Sequence, residues 1–115
     1  ADERLLMERH TIEGAAILLE QEAIPVRLRR RAARVAMEHH EAADGTGYPM
    51  GLAPEDTFSM AKIVTVADFF DALMENRPYR EGMKVERALE IMSSAAAKLD
   101  PLAFRALGAL LRALE

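Results

Sequence analysis

The chain contains no cysteine and no tryptophan, and only four phenylalanines and two tyrosines among its 115 residues. Without cysteine there is neither a disulfide nor a thiolate metal site, so any metal must be held by histidine, aspartate or glutamate. Half the residues are apolar, yet so few are aromatic that Ala, Leu, Ile, Val and Met dominate, which favours helix. No apolar run approaches the roughly 18 residues of a membrane span, and residues 1–20 are too charged for a signal peptide. A basic surplus is also missing. Fifteen basic and nineteen acidic residues give a net charge of -4, which argues against a nucleic-acid-coating surface while leaving room for a locally positive phosphate site. The expectation is a single, soluble, all-α domain that binds neither nucleic acid nor membrane, and the lack of disulfides fits a cytoplasmic location.

What is present reads as a bundle of about five helices. Residues 3–22 place Leu6, His10, Gly14 and Ile17 along one side at spacings of three and four, which predicts that His10 looks inward. After a break at Ile24-Pro25, a second helix is predicted from Val26 to His40, carrying Arg27, Arg29, Arg30, Arg31 and Arg34. That cluster is most simply a solvated face, with a phosphate-binding patch as the alternative. Residues 42–57 are rich in glycine and proline and form a loop. The run SMAKIVTVADFFDALMEN is apolar almost all round, as expected of a helix buried centrally, and Asn76-Arg77-Pro78 ends it. A fourth helix is predicted over 84–97. Asp100-Pro101 starts a fifth, with aspartate as N-cap, proline in the first turn and an apolar stripe of Leu102, Phe104, Leu107, Leu110, Leu111 and Leu114.

Several residues carry chemistry. Asp68 sits in the apolar run VTVADFFDALM, where an ionised carboxylate needs a positive partner. Asp71 lies about 60° further around the same helix. Either a metal or an arginine such as Arg77 or Arg80 would satisfy them. His39 and His40 are neighbours that would point about 100° apart on a helix, so they would serve two different ions, or one an ion and the other a ligand, or neither. Together, three inward histidines and a buried aspartate are the nitrogen and oxygen donors that suit iron, manganese or zinc. Two such ions about 3.5–4 Å apart can bridge a hydroxide and clamp phosphodiester oxygens, so phosphoryl hydrolysis is the chemistry this set serves best.

The order and spacing of these motifs resemble the HD-GYP domains, a branch of the HD phosphohydrolase superfamily that hydrolyses the bacterial second messenger cyclic di-guanylate (cyclic di-GMP). The resemblance rests on His39-His40-Glu41, on Asp44-Gly45-Thr46-Gly47-Tyr48-Pro49 with Gly51-Leu52, on Ala67-Asp68-Phe69-Phe70-Asp71-Ala72-Leu73 and on Arg77-Pro78-Tyr79-Arg80. It implies His10, His39, His40 and Asp68 as metal ligands, with two or three iron or manganese ions in an intact domain and a metal-bridged hydroxide as nucleophile. It further implies Arg77 and Arg80 as substrate-binding residues, Asp71 as a nearby site residue, and Asp44, Gly45, Gly47, Tyr48 and Pro49 as the signature loop walling the cleft. Thr11 stands where the family usually has proline, and Ala43 where it usually has tryptophan.

The family's name-giving His-Asp pair lies upstream of His10 and has no counterpart in this chain. Residues 1–115 are therefore expected to be the C-terminal half of such a domain, binding metal weakly or not at all by itself. The expected function is a cyclic-di-GMP phosphodiesterase within a longer protein; the alternative is a non-catalytic signalling module with an incomplete metal site. Expected partners are the cyclic dinucleotide and diguanylate cyclase (GGDEF) domains. Apolar area left uncovered around Ile63, Val66 and Phe70 also predicts self-association.

Overall fold

A computed structural model describes residues 2–114, as five α-helices with two short 3-10 turns and, among those residues, no strand. Helix α1 spans Asp2–Leu19 and α2 spans Val26–Glu38. Proline fixes the backbone entering α2: Pro25 is its N-cap, with φ -52° and ψ 140°. The two helices form an antiparallel hairpin, since Leu19 meets Arg29, Gly14 meets Ala36 and His10 meets His39. Its interface is built from small residues, with Thr11, Ala15 and Ala33 buried. The covered side of α1 thus runs through Thr11 and Ala15 rather than Leu6 and Ile17, which are exposed. His10 lies at the edge of that interface and is exposed, contrary to the inward placement expected of it.

Helix α3 spans Ser59–Met74, α4 spans Val85–Ser94 and α5 spans Pro101–Ala113. These three enclose a second core of Val66, Met92 and Leu99, against which Phe69, Phe70, Leu73, Ala103, Phe104 and Leu107 pack. The Asp100-Pro101 start signal holds: the Asp100 side chain accepts the Ala103 N–H at 3.0 Å. Helix α4 is shorter than its apolar pattern predicted, because the chain tightens into a 3-10 turn at Ala96–Lys98.

Central burial of α3 is not observed. Only Ala61 and Val66 are buried, while Met60, Ile63 and Val64 face outward. Of the three positions predicted to be uncovered, Ile63 is 59% exposed, Phe70 is half-buried and Val66 is buried. Leu102, Leu110 and Leu114 of the α5 stripe are also exposed, because their side of the helix has no neighbour among the described residues.

The two cores are joined through Glu38, the last residue of α2. Its carboxylate is 4% exposed and accepts from Arg34 Nε at 2.8 Å and from the Phe58 N–H at 2.7 Å. Phe58 is the N-cap of α3, and Arg34 also lies over its ring at 4.7 Å. One carboxylate therefore satisfies a guanidinium and an otherwise orphan N–H at a helix start. Replacing it with alanine leaves both without their acceptor. E38A is expected to lower unfolding free energy by about 2–4 kcal/mol in urea titration, and R34A by about 1 kcal/mol, because the arginine is half exposed.

Candidate metal centre

Helix α2 stops at Glu38 and the chain turns at once. His39 caps the helix with its N–H on the Val35 carbonyl at 2.9 Å, and the Glu41 N–H returns to the Glu38 carbonyl at 2.9 Å. The two histidines are therefore turn residues, and the 100° separation of helical neighbours does not apply to them. Their ring centroids are 4.3 Å apart. From α1, His10 meets both edge-on, at 5.5 Å from His39 and 4.9 Å from His40. One ring nitrogen from each of the three lies within 4.8 Å of the others. The convergence of the three histidines expected from the motif order is observed, and the helix that was expected to run through His40 ends before the pair.

Backbone carbonyls choose the tautomers of two rings. Nδ1 of His39 donates to the Ala36 carbonyl at 2.9 Å, and Nδ1 of His10 contacts the Met7 carbonyl. A carbonyl can only accept, so Nδ1 carries the proton, and it is the neutral form of each ring that offers the Nε2 lone pair to a ligand. The third element is α3. Its Thr65 hydroxyl sits 2.6 Å from the His39 carbonyl and 2.8 Å from that of Ala61, tying the helix to the histidine turn. Three residues on, Asp68 Oδ2 stands 3.9 Å from His40 Nε2. Its side chain is 53% exposed, so the buried carboxylate inferred from the apolar run is corrected. Three imidazoles with a carboxylate beside them fit a divalent transition ion.

The signature loop forms the next wall. The Tyr48 N–H donates to the His40 carbonyl at 3.1 Å, and the tyrosine ring lies on the His40 imidazole with centroids 4.9 Å apart and planes 12° from parallel. The Tyr48-Pro49 peptide is cis. Gly47 is required by close approach: a Cβ there would sit 2.3 Å from the Ala42 nitrogen and 2.4 Å from the His40 carbonyl oxygen. At the rim, Asp44 accepts from the backbone and hydroxyl of Thr46, which holds its carboxyl below the usual range.

The arginine motif forms the turn that follows α3. Arg77 and Arg80 bond each other's backbones in a tight turn. Arg80 spends its guanidinium on the carbonyls of Ala72, Leu73 and Glu81, closing the end of α3. Arg77 is exposed and pairs with Glu75 at 3.2 Å; among the described residues neither arginine forms an ion pair with Asp68 or Asp71. Asp71 is exposed on α3. Sequence reasoning assigned no role to Glu38, Glu41 or Thr65, all of which position the site. The only hint was that the two glutamates bracket the histidine pair.

Burial holds the His40 imidazole below its ordinary pKa, reinforced by repulsion from His39 and His10 and opposed by Asp68. As pH falls below about 6.5 the unfolded chain takes up this proton before the folded one does, so stability is fully present above that value and declines on acidification. Melting of metal-free protein is expected to drop between pH 7 and pH 5, and H40N is expected to flatten part of that drop in calorimetry.

The family profile described as HD domain matches residues 1–102. The chain is 40% identical over 101 residues to 3'3'-cGAMP-specific phosphodiesterase 3 of Vibrio cholerae, covering 87% of this chain and 22% of that protein. It is 40% identical over 112 residues to the cyclic di-GMP phosphodiesterase response regulator RpfG of Xanthomonas campestris, covering 96% and 28%. Among solved structures it superposes on an HDG"Y"P protein from Bdellovibrio bacteriovorus with a TM-score of 0.72 at 25% identity, covering 94% of this chain and 33% of that one. The chain thus spans less than a third of the length of these two curated relatives. HD-domain phosphohydrolases generally use divalent metals, in keeping with the histidine cluster. By sequence profile, relatives and fold together, the chain belongs to the HD domain family, in its HD-GYP branch.

Proposed function

We propose that the protein carrying this chain is a metal-dependent phosphodiesterase that hydrolyses cyclic di-GMP. The observation that carries this reading is the convergence of ring nitrogens from His10, His39 and His40 within 4.8 Å, with Asp68 3.9 Å from His40. His10, His39, His40 and Asp68 would hold iron or manganese, two or three ions in an intact domain to which other segments also contribute ligands. Bound there, such ions supply polarisation of a phosphoryl oxygen and a water of lowered pKa. Arg77 gives up its exposed partner Glu75 to hold a substrate phosphate or guanine edge, and Arg80 keeps the Arg77 turn in place. Asp71 borders the same helix face as a hydrogen-bond acceptor, and the loop from Asp44 through Gly45, Gly47, Tyr48 and Pro49 walls the cleft. The relatives' names include both cyclic di-GMP and 3'3'-cGAMP, so both substrates belong in the assay.

Full-length protein with Mn²⁺ or Fe²⁺ is expected to release linear dinucleotide or GMP from cyclic di-GMP. H40A and D68A should each lower the rate at least about 100-fold, beyond the 10–100-fold typical of outer partners. No product from either cyclic dinucleotide in either metal overturns the reading.

GGDEF domains are the protein partners this reading entails, in the cytoplasm where such second messengers turn over. No helix among the described residues is long and apolar enough to cross a membrane. Self-association is proposed through the groove between α3 and α5. It has a volume of about 620 Å³ and is lined by Ile63, Val66, Leu102, Ala103, Leu107 and Leu110. Leu102 is 71% exposed at its rim. Light scattering of this chain is expected to give a mass above that of one copy, and I63E with L102E should restore the monomer.

A further inference from the structure

Glu41 directly follows the two histidines in the chain. Its carboxylate is committed to the signature loop. The side chain is 4% exposed, and each carboxylate oxygen is taken by a different backbone N–H of the signature loop: Oε2 by Met50 at 2.8 Å and Oε1 by Leu52 at 2.7 Å. Gly51, between the two anchors, has φ +64°, a backbone state that side chains rarely adopt. A Cβ at Gly51 would also meet the Gly45 carbonyl at 3.3 Å, because the loop closes back on itself there. The near end of the loop is fixed by the bond from the Gly45 N–H to the Ala42 carbonyl at 2.9 Å and by the seat of Gly47 on residues 40–42. Both ends of the segment bearing Tyr48 are therefore held by residues 40–42, and the tyrosine ring is laid flat against His40. A buried carboxylate is costly without partners, and here the partners are two N–H groups of one loop.

We infer that Glu41 is a positioning residue for the metal centre. By gripping Met50 and Leu52 it holds the Tyr48 ring on His40 and so fixes the imidazole plane toward His10 and His39. This rests on the reading of the histidine cluster as a metal site and is independent of which phosphodiester is cleaved. Outer partners of metal ligands commonly contribute 10–100-fold in metal affinity. Gln is isosteric with Glu but places an amide NH₂ against one of the two backbone N–H donors, so it frees one anchor of the loop without removing bulk.

The test uses full-length protein, stripped of metal and titrated with Mn²⁺, with histidine ring resonances followed by NMR in the metal-free state. E41Q is expected to weaken Mn²⁺ binding about 10–100-fold. It should also move the His40 ring resonances toward the values seen in Y48L, where the stacked ring is gone, with a cooperative melt retained. A merely structural role for Glu41 would lower the melting temperature while leaving the His40 resonances and Mn²⁺ affinity of the folded protein unchanged, and that result overturns the inference. Should E41Q not fold, Y48L decides alone: wild-type Mn²⁺ affinity in Y48L overturns the inference, and a loss of the same size supports it. Failure of wild-type protein to cleave cyclic dinucleotides removes the enzymatic reading and leaves these two measurements intact.

Discussion

Two buried carboxylates at the end of α2 set the reference frame for everything around them. Glu38 and Glu41 are each 4% exposed, and between them they accept N–H groups from Phe58, Met50 and Leu52. One fixes where α3 begins; the other fixes where the signature loop comes to rest. Burying such groups costs several kcal/mol each unless every oxygen is engaged, so the surrounding backbone has little freedom to move while they remain inside. The histidine pair lies between these two anchors in the chain. Its geometry is thus a consequence of acceptors that do not themselves face the metal position.

The same logic runs through the rings. His10 and His39 are oriented by carbonyls one turn earlier in their own helices, and His40 by a tyrosine from the loop. Thr65 adds a tie from α3 to the backbone of His39, one helical turn before Asp68. Carbonyls, a stacked ring and a hydroxyl tie share the task, so no single packing contact carries the arrangement. Precision is needed because an ion discriminates by the distance and direction of its donors. The apolar core does not supply it: the buried apolar residues of the hairpin are alanines, and the second core lies behind α3.

Helix type and number were legible because the apolar residues recur at helical spacing, and the start of α5 was legible to the residue because Asp100-Pro101 has a local mechanism. The identity of the converging histidines was also readable, from motif order. What failed were statements about which side is covered. Asp68 and His10 were placed inside because their neighbours are apolar, yet apolar composition says only that a face would gain from being covered, not that this stretch of chain covers it. Met60, Ile63 and Val64 show the consequence on α3. The other failure was a helix boundary. Extending α2 by two residues onto His39 and His40 assigned them the 100° separation of helical neighbours, whereas the chain turns after Glu38. Nothing in the residues themselves marks Glu38 as the last helical position; its side chain's partners are 20 residues away and four residues back.

The motif Arg77-Pro78-Tyr79-Arg80 shows how two like residues acquire unlike duties. The final turn of a helix leaves carbonyls without intrahelical partners, and a guanidinium with five donors is suited to gather them. Arg80 does so for Ala72 and Leu73, and its bond to the Glu81 carbonyl extends the clasp across the turn. Arg77 has no such commitment: its partner Glu75 is more than half exposed, and a solvent-screened pair of that kind contributes roughly 0–1 kcal/mol. Loss of that pair therefore costs the fold little. Arg80 thus holds the turn that carries the exposed Arg77, and the two differ because Arg80 is the one that reaches back to α3.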